Sequence, residues 1–251
     1  MVKIQSIYRY PVKGLSAEPL PRVTLAPGAT VPGDRLYAIE NGPSGFDPVK
    51  RPYLAKSQFL MLMKNERLAG LHSAFDQASH TLTLTDGERE VRGDLDTPAG
   101  RAAIEQYFGA AFAGELRGPP KILHAPGHSF SDVARKVVSI INLASVSAIE
   151  NLVGATVNPL RFRGNVYLEG WPAWSELDLV GKAILIGREA RLKIVKRTVR
   201  CAATNVDPET ARRDLNIPKA LVQSLGHADC GVYAEVVEGG EIAAGDIVEI
   251  T

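Results

Sequence analysis

The most informative stretch of the sequence is Lys193-Ile-Val-Lys-Arg-Thr-Val-Arg-Cys-Ala-Ala-Thr-Asn-Val-Asp-Pro-Glu-Thr210. It begins as a basic strand, reaches Cys201, which is one of only two cysteines, and passes into Asp207-Pro208, a pair typical of a helix start. Four cationic side chains precede the thiol, namely Lys193, Lys196, Arg197 and Arg200. A thiol at the end of such a strand suits a site that binds an anion or a metal.

Cys201 has two interpretations that the residues alone leave open. It is either a small buried hydrophobe, as most free cysteines are, or a thiolate stabilised by nearby cations. In an unbroken strand Arg197 and Val199 would share its side, whereas Lys196 and Arg200 would point away. A thiolate is a good soft ligand for a transition metal, but no second Cys or His lies at the spacing that zinc needs.

Length, composition and charge place the chain among ordinary globular proteins. Its 251 residues can form one large domain or two modest ones, and its 45% hydrophobic and 23% charged content is unexceptional. A formal charge of +1 gives no reason to expect nucleic acid or an acidic membrane surface as a partner. Two cysteines cannot build a disulfide framework, so we expect a reduced, cytoplasmic setting.

The beginning of the chain carries no recognisable targeting signal. Met1-Val2-Lys3-Ile4 runs directly into a strand pattern, without an apolar region followed by a cleavage site. No run of about 18 apolar residues occurs anywhere in the sequence. We therefore expect neither export nor a membrane span.

The pattern of the first half predicts a series of short strands. Strand patterns cover residues 3–10, 34–40, 58–64, 81–85 and 89–92, with Asp86-Gly87 as a hairpin turn. Thr97-Pro98 opens a helix with threonine as N-cap and proline at the first position. Gly118-Pro119-Pro120 marks the predicted boundary between domains at residues 1–118 and 119–251.

The second half continues as strands with inserted helices. Strand patterns cover residues 137–141, 163–168, 183–186, 192–198, 232–237 and 247–250. A helix is predicted over 142–154, with Ser145 or Ser147 at its start, and two short helices at Asp207-Pro208 and Ile217-Pro218. The fold class is therefore mainly β, a barrel or sandwich with helices between strands. Neither a Gly-x-Gly-x-x-Gly fingerprint nor a Walker loop supports a nucleotide-binding fold.

Two further cationic sets could complete an anion site. In an extended chain Arg161, Arg163 and Asn165 would lie on one face, and two guanidiniums there suit bidentate recognition of phosphate or carboxylate. A solvated basic edge strand is the alternative. Lys13 and Arg35 stand at strand ends in the first half, where each could equally be an ordinary surface charge.

Taken together and in order, several stretches resemble the MOSC family, named after the C-terminal domain of molybdenum cofactor sulfurases. Residues 7–14 and 33–36 resemble the opening of the family's N-terminal β-barrel domain. The MOSC domain itself is suggested by Arg161-Phe-Arg-Gly-Asn165, Trp174-Ser-Glu-Leu177, residues 200–210 and residues 240–246. The family includes the mitochondrial amidoxime-reducing component, and the resemblance implies an N-terminal β-barrel-like domain packed on a MOSC β-barrel domain.

The resemblance also implies residue roles and a cofactor, the molybdenum cofactor (molybdenum bound to molybdopterin). Cys201 would ligate molybdenum, and Lys13, Arg35 and Arg163 would contact the phosphate region of the pterin, with Ser145 nearby. The predicted cofactor-binding set also contains their neighbours Arg161, Asn165 and Arg200. An anionic pyranopterin needs cations and helix N-termini, and molybdenum needs a soft thiolate.

Some positions depart from the family pattern. Gly14 replaces a serine that often follows the lysine, Gly164 replaces the proline of Phe-Arg-Pro-Asn, and Ala211 replaces a glycine. Residues 43–78 match the family poorly. No iron–sulfur cysteine motif follows the MOSC pattern, so electrons would come from a separate donor protein.

The sequence is compatible with three functions. The first is an oxidoreductase that uses the molybdenum cofactor to reduce small N-hydroxylated compounds. The second is a non-catalytic carrier of the cofactor or of sulfur, with a transient persulfide on Cys201. The third is a cationic protein that binds small anions without any metal.

Overall fold

Most of the regular structure in the computed structural model, which describes residues 1–251, is β-strand. The first half contains seven strands and one helix: β1 (Lys3–Arg9), β2 (Glu18–Leu20), β3 (Arg22–Leu25), β4 (Tyr37–Asn41), β5 (His72–Asp76), β6 (Thr81–Asp86), β7 (Arg89–Asp94) and α1 (Pro98–Ala111). The second half contains the rest: β8 (Pro120–His124), β9 (Val138–Asn142), α2 (Leu143–Val153), β10 (Val166–Glu169), β11 (Ala183–Ile186), β12 (Ala190–Val199), α3 (Ile217–Leu225), β13 (Asp229–Glu238), β14 (Gly240–Ala243) and β15 (Val248–Ile250). The predicted mainly β fold class is confirmed.

One curled sheet of eight strands organises the molecule, in the order β15-β11-β12-β13-β9-β10-β1-β2. Its neighbours are antiparallel except β9 and β10, which are parallel and joined through α2. Although β1 and β2 come from the start of the chain, they extend this sheet beyond β10. A register shift between Ile4 and Ser6 interrupts the alternation of side chains along β1, so Ile4 and Ile7 both enter the same apolar core as Ile140, Val166 and Ile184.

A smaller group of strands surrounds a second core in the first half. Strands β5, β6 and β7 form a meander, and β4 pairs with β8. The Thr97 side chain caps α1 by accepting a hydrogen bond from the Gly100 amide, as predicted from Thr97-Pro98. The apolar face of α1 places Ile104, Tyr107 and Phe108 in this core.

The predicted boundary at Gly118 lies between α1 and β8. Strand β8 follows it but pairs with β4, whereas β1 precedes it but pairs with β10. Both groups of strands therefore contain elements from both sides of residue 118, and the two-domain division stays a prediction.

Three predicted elements differ from the structure. Residues 58–64 do not form a strand, because the Asn65 side chain accepts from the Met61 amide and the chain turns there after a short 3-10 helix, Lys56–Gln58. Helix α2 is capped by Asn142, whose side chain accepts from the Ala144 amide, so neither Ser145 nor Ser147 starts it.

The third difference is at Asp207-Pro208, where no helix begins. The Asp207 carboxylate accepts from the amides of Glu209 and Thr210, which closes a turn. Ala211 then adopts a positive φ of 57°, a conformation that a helix does not contain. By contrast, α3 begins at Ile217-Pro218, as predicted, and its C-cap is Gly226 in a left-handed conformation. None of the helices is both long enough and apolar enough to span a bilayer.

Candidate functional site

A cleft of about 270 Å³ lies where the end of β12 meets the loops that follow β1 and precede β4. Seven of the eight predicted site residues line it: Lys13, Arg35, Arg161, Arg163, Asn165, Arg200 and Cys201. The eighth, Ser145, does not. The fold thus brings together residues from positions 13 to 201, and basic side chains outnumber acidic ones in the lining, where Asp34 and Asp132 are the acidic members.

Lys13 is buried at one wall of the cleft. Its ammonium donates to the Phe130 carbonyl oxygen over 2.9 Å and also to the Asp132 carboxylate. Burial lowers the pKa of Lys13, although the nearby Asp132 charge opposes the change. Burial would raise the pKa of Asp132, but the charges of Lys13 and Lys56 outweigh it and hold that pKa at about 2. The Asp132 carboxylate is therefore ionised at neutral pH.

The guanidinium groups of Arg35 and Arg163 both lie over the ring of the buried Tyr10, with their Cζ atoms 4.4 and 4.2 Å from its centroid. Arg35 has a left-handed backbone with φ of 51° and pairs with Asp34 over 2.6 Å. One terminal nitrogen of Arg163 donates to the Leu15 carbonyl, whereas the other, Nη2, is buried without any partner. Burial, with the neighbouring Arg35 charge, lowers the pKa of Arg163.

Arg161 and Asn165 are occupied by the protein itself. The Arg161 guanidinium is buried and pairs with Asp207 and Asp214, each over 2.7 Å. The Asn165 side chain donates to the Tyr8 carbonyl and accepts from the Ser139 amide. Both side chains fix the backbone around the cleft.

The expectation that Arg161, Arg163 and Asn165 share one face of a strand is wrong. Residues Pro159–Phe162 form a 3-10 helix, capped by Asn158, and Arg163 follows with a left-handed φ of 52°. The chain becomes a strand only at Val166. Arg163 therefore turns toward Tyr10, whereas Arg161 turns toward Asp207 and Asp214.

Cys201 lies just after β12, where it precedes a 3-10 helix, Ala202–Asn205. Its sulfur belongs to a half-buried residue on the cleft wall. The neighbouring Arg200 is buried, and its guanidinium donates to the carbonyls of Cys230 and Phe162. Register shifts between β12 and β13 interrupt the simple alternation expected around Cys201, so Lys196, Arg197 and Arg200 all line the cleft.

Lys56 also lines the cleft, although it is not among the predicted site residues. It comes from a 3-10 helix in the segment that matches the family pattern poorly, and it lines the cleft together with Cys201. Burial opposes its charge, but the electrostatic influence of Cys201 and Asp132 outweighs burial and raises the pKa of Lys56. No motif surrounds Lys56, so only the tertiary structure identifies it.

Ser145 and Cys230 lie behind the site. The Ser145 hydroxyl is fully buried, donates to the Glu176 carboxylate over 2.9 Å and accepts from the Trp174 amide. Cys230 is also fully buried, and burial raises the pKa of its thiol to about 12. Cys201 is therefore the accessible thiol of this protein.

Comparison with known proteins matches both halves of the chain to described domain families. Residues 1–117 match the family model of the MOSC N-terminal beta barrel domain, and residues 125–249 match that of the MOSC domain. No curated protein matches the sequence.

Two solved structures are more distantly similar. The YuaD protein from Bacillus subtilis is 16% identical, with a TM-score of 0.48 over 100% of this chain and 96% of that one. YiiM from Geobacillus stearothermophilus is 21% identical, with a TM-score of 0.36 over 45% of this chain and 53% of that one.

Proposed function

This chain belongs to the MOSC family, and from that premise we propose that it is a molybdenum-cofactor-binding oxidoreductase that reduces small N-hydroxylated compounds. Electrons would come from a separate donor protein. The observation that carries the proposal is the convergence of Lys13, Arg35, Arg163 and Cys201 in one cleft. A half-buried sulfur beside buried cations suits a ligand that combines a soft metal with an anionic group.

The residues present fit such a cofactor. Arg163 carries no carboxylate partner, and its buried Nη2 lacks any hydrogen bond, which leaves a donor to be satisfied by an anion. Lys13 and Arg35 add positive charge on either side, each balanced by a single aspartate. Cys201 offers a thiolate, the kind of ligand that molybdenum prefers over carboxylates and amines.

Each residue would then have a limited task. Cys201 would ligate the metal, and Lys13, Arg35 and Arg163 would hold the phosphate of the pterin. Arg161, Asn165 and Arg200 would act indirectly, because their polar groups already hold the backbone of the cleft. We leave Ser145 out of the cofactor-binding set, because its hydroxyl is already bonded to Glu176 and Trp174.

The cofactor, when bound, would supply two-electron oxygen-atom transfer, the hard part of the chemistry. The chain's own contribution would be to orient the cofactor, to place positive charge around it and to shape the space beside Cys201. Positioned cations in a partly dry cleft act more strongly than the same charges in water.

Elemental analysis and a single substitution test this function. Protein purified from a molybdenum-replete host should contain close to one molybdenum per chain and reduce benzamidoxime with an artificial reductant. The Cys201→Ala variant should keep the fold but lose turnover. Molybdenum without turnover in the unaltered protein would instead favour a carrier of the cofactor or of sulfur, and absence of both molybdenum and pterin would contradict the proposal.

A further inference from the structure

We propose that the part of the cleft around Cys201 recognises an anionic group on the substrate, so that the preferred substrates are N-hydroxylated compounds that also carry a carboxylate. This inference rests on the function proposed above, since it concerns the substrate of the same site. It uses Lys56, Lys196, Thr198 and Tyr233, which have no role in holding the cofactor and which line the cleft beside Cys201.

Some basic side chains of the cleft have carboxylate partners and others do not. Lys13, Arg35, Arg161 and Arg197 each pair with at least one aspartate. Lys56 and Lys196 line the same cleft, and neither has a carboxylate within 4.0 Å. Arg163 and Arg200 also lack a carboxylate partner, but Arg163 belongs to the cofactor-binding set proposed above and Arg200 donates to the Cys230 and Phe162 carbonyls. Lys56 and Lys196 are therefore the unpaired cations that remain for a substrate.

Two hydroxyl groups add further donors at this place. Thr198 is only 3% exposed, yet its Oγ1 makes no hydrogen bond. A buried hydroxyl without a partner is uncommon in proteins and indicates that a partner is missing. The Tyr233 hydroxyl also lacks a hydrogen-bond partner within the protein, and its side chain lines the cleft opposite Lys196, its neighbour across β12 and β13.

The unpaired hydrogen-bond donors in this part of the cleft indicate a ligand that accepts hydrogen bonds. Ammonium groups can only donate hydrogen bonds, and hydroxyl groups can donate one. A carboxylate offers two acceptor oxygens and a negative charge, and hydrogen bonds between charged groups are stronger than neutral ones. A neutral N-hydroxylated compound would bring no negative charge to either lysine, so it should bind more weakly than its carboxylated counterpart.

Binding of compounds that cannot be reduced tests the inference without relying on turnover. Calorimetric titration of the molybdenum-containing protein should show that 4-carbamoylbenzoate binds more tightly than the neutral benzene-1,4-dicarboxamide. Lys56→Met should weaken binding of the charged compound about tenfold and leave the neutral one nearly unchanged. Lys196→Met provides a second variant with the same expected direction. Lys64→Met is the matched control, because Lys64 is an exposed lysine outside the cleft lining.

Kinetics provides the second measurement. We expect kcat/KM for 4-carboxybenzamidoxime to exceed that for benzamidoxime by about tenfold, mainly through KM, and this ratio to fall toward one in Lys56→Met. No turnover of either amidoxime, with the binding preference intact, would contradict the proposed function but support the anion site. Equal turnover and equal binding of charged and neutral compounds would overturn the anion site and leave the function standing.

Two further outcomes would also overturn it. If Lys64→Met weakened binding of 4-carbamoylbenzoate as much as Lys56→Met, the effect would come from the overall charge of the protein. If Lys56→Met and Lys196→Met lost molybdenum in elemental analysis, these lysines would hold the cofactor and not the substrate.

Discussion

Gly14 follows Lys13 in the cleft wall with a φ of 89°, and a Cβ there would lie 3.2 Å from both the Leu60 oxygen and Leu68 Cδ1. The serine common in similar proteins would therefore be strained at this position. Gly164 has a different constraint, because a Cβ would lie 2.4 Å from Ile141 Cγ1 and its amide donates to the Tyr167 hydroxyl. Proline at this position would remove that donor. The packing of this chain thus accounts for the departures at Gly14 and Gly164.

Asp132 should make the stability of the protein depend on pH in acid. The pKa of its carboxyl is about 2 in the folded protein, below the value of roughly 3.9 for an unfolded chain. A lowered folded pKa contributes stability above pH 4, and this contribution is lost as the pH falls through about 2. Asp132→Asn should therefore lower the free energy of unfolding more at pH 6 than at pH 2.5, as measured by urea denaturation.

Glu88→Gln is the control for this comparison, because Glu88 is exposed and forms no ion pair. It should change the free energy of unfolding little at either pH. Since half of the Asp132 side chain is exposed, solvent screening limits the size of the effect. An equal loss of stability in Asp132→Asn at both pH values would show that the carboxyl does not stabilise Lys13 through its charge.

At the scale of elements, Arg161 connects the 3-10 helix Pro159–Phe162 to the loop that follows Cys201. Its guanidinium is 1% exposed and pairs with Asp207 and Asp214, and it also donates to the Asn205 carbonyl. Removing one partner of a buried ion pair leaves the other charge uncompensated. Arg161→Met should therefore lower the free energy of unfolding by roughly 3 kcal/mol, measured by urea denaturation.

The loop itself supplies a second readout for this substitution. Because the loop begins at Cys201, loss of the Arg161 ion pairs should also reduce the molybdenum content of the purified protein. Arg92→Met is a suitable control, since Arg92 is an exposed arginine of β7 without an ion pair. Wild-type stability in Arg161→Met would show that the two aspartates gain as much from water as from the arginine.

Elements with local signals were predictable from the sequence, and those set by tertiary contacts were not. The Thr97 cap, the Asp86-Gly87 turn and Ile217-Pro218 each act within a few residues, and each was predicted correctly. Residues 58–64 and Asp207-Pro208 were predicted wrongly, because the side chains of Asn65 and Asp207 bond backbone amides and close turns. Similarly, the convergence of Lys13, Arg35 and Arg163 came from family resemblance, whereas Lys56 required the folded chain.

At the scale of the whole molecule, the eight-stranded sheet depends on the beginning of the chain. Strand β1 pairs with β10, and β3 pairs with β14 near the end of the chain. Ile4 and Ile7 are each 1% exposed in the core of this sheet, which also contains Leu25 and Val31 from the same segment. Burial of each such side chain contributes about 1.5–3 kcal/mol, a sizeable part of the stability of a domain.

A fragment of residues 119–251 should therefore fail to fold alone, even though it contains the residues matched by the MOSC domain model. Its two-dimensional NMR spectrum should be poorly dispersed, and urea should unfold it without a cooperative transition. Joining residues 1–31 ahead of residue 119 through a long Gly/Ser linker should restore both properties, because this segment returns β1, β2 and β3 to their partners. Cooperative unfolding of the fragment alone would show instead that β9 to β15 form a self-sufficient domain, and that β1 merely extends an already stable sheet.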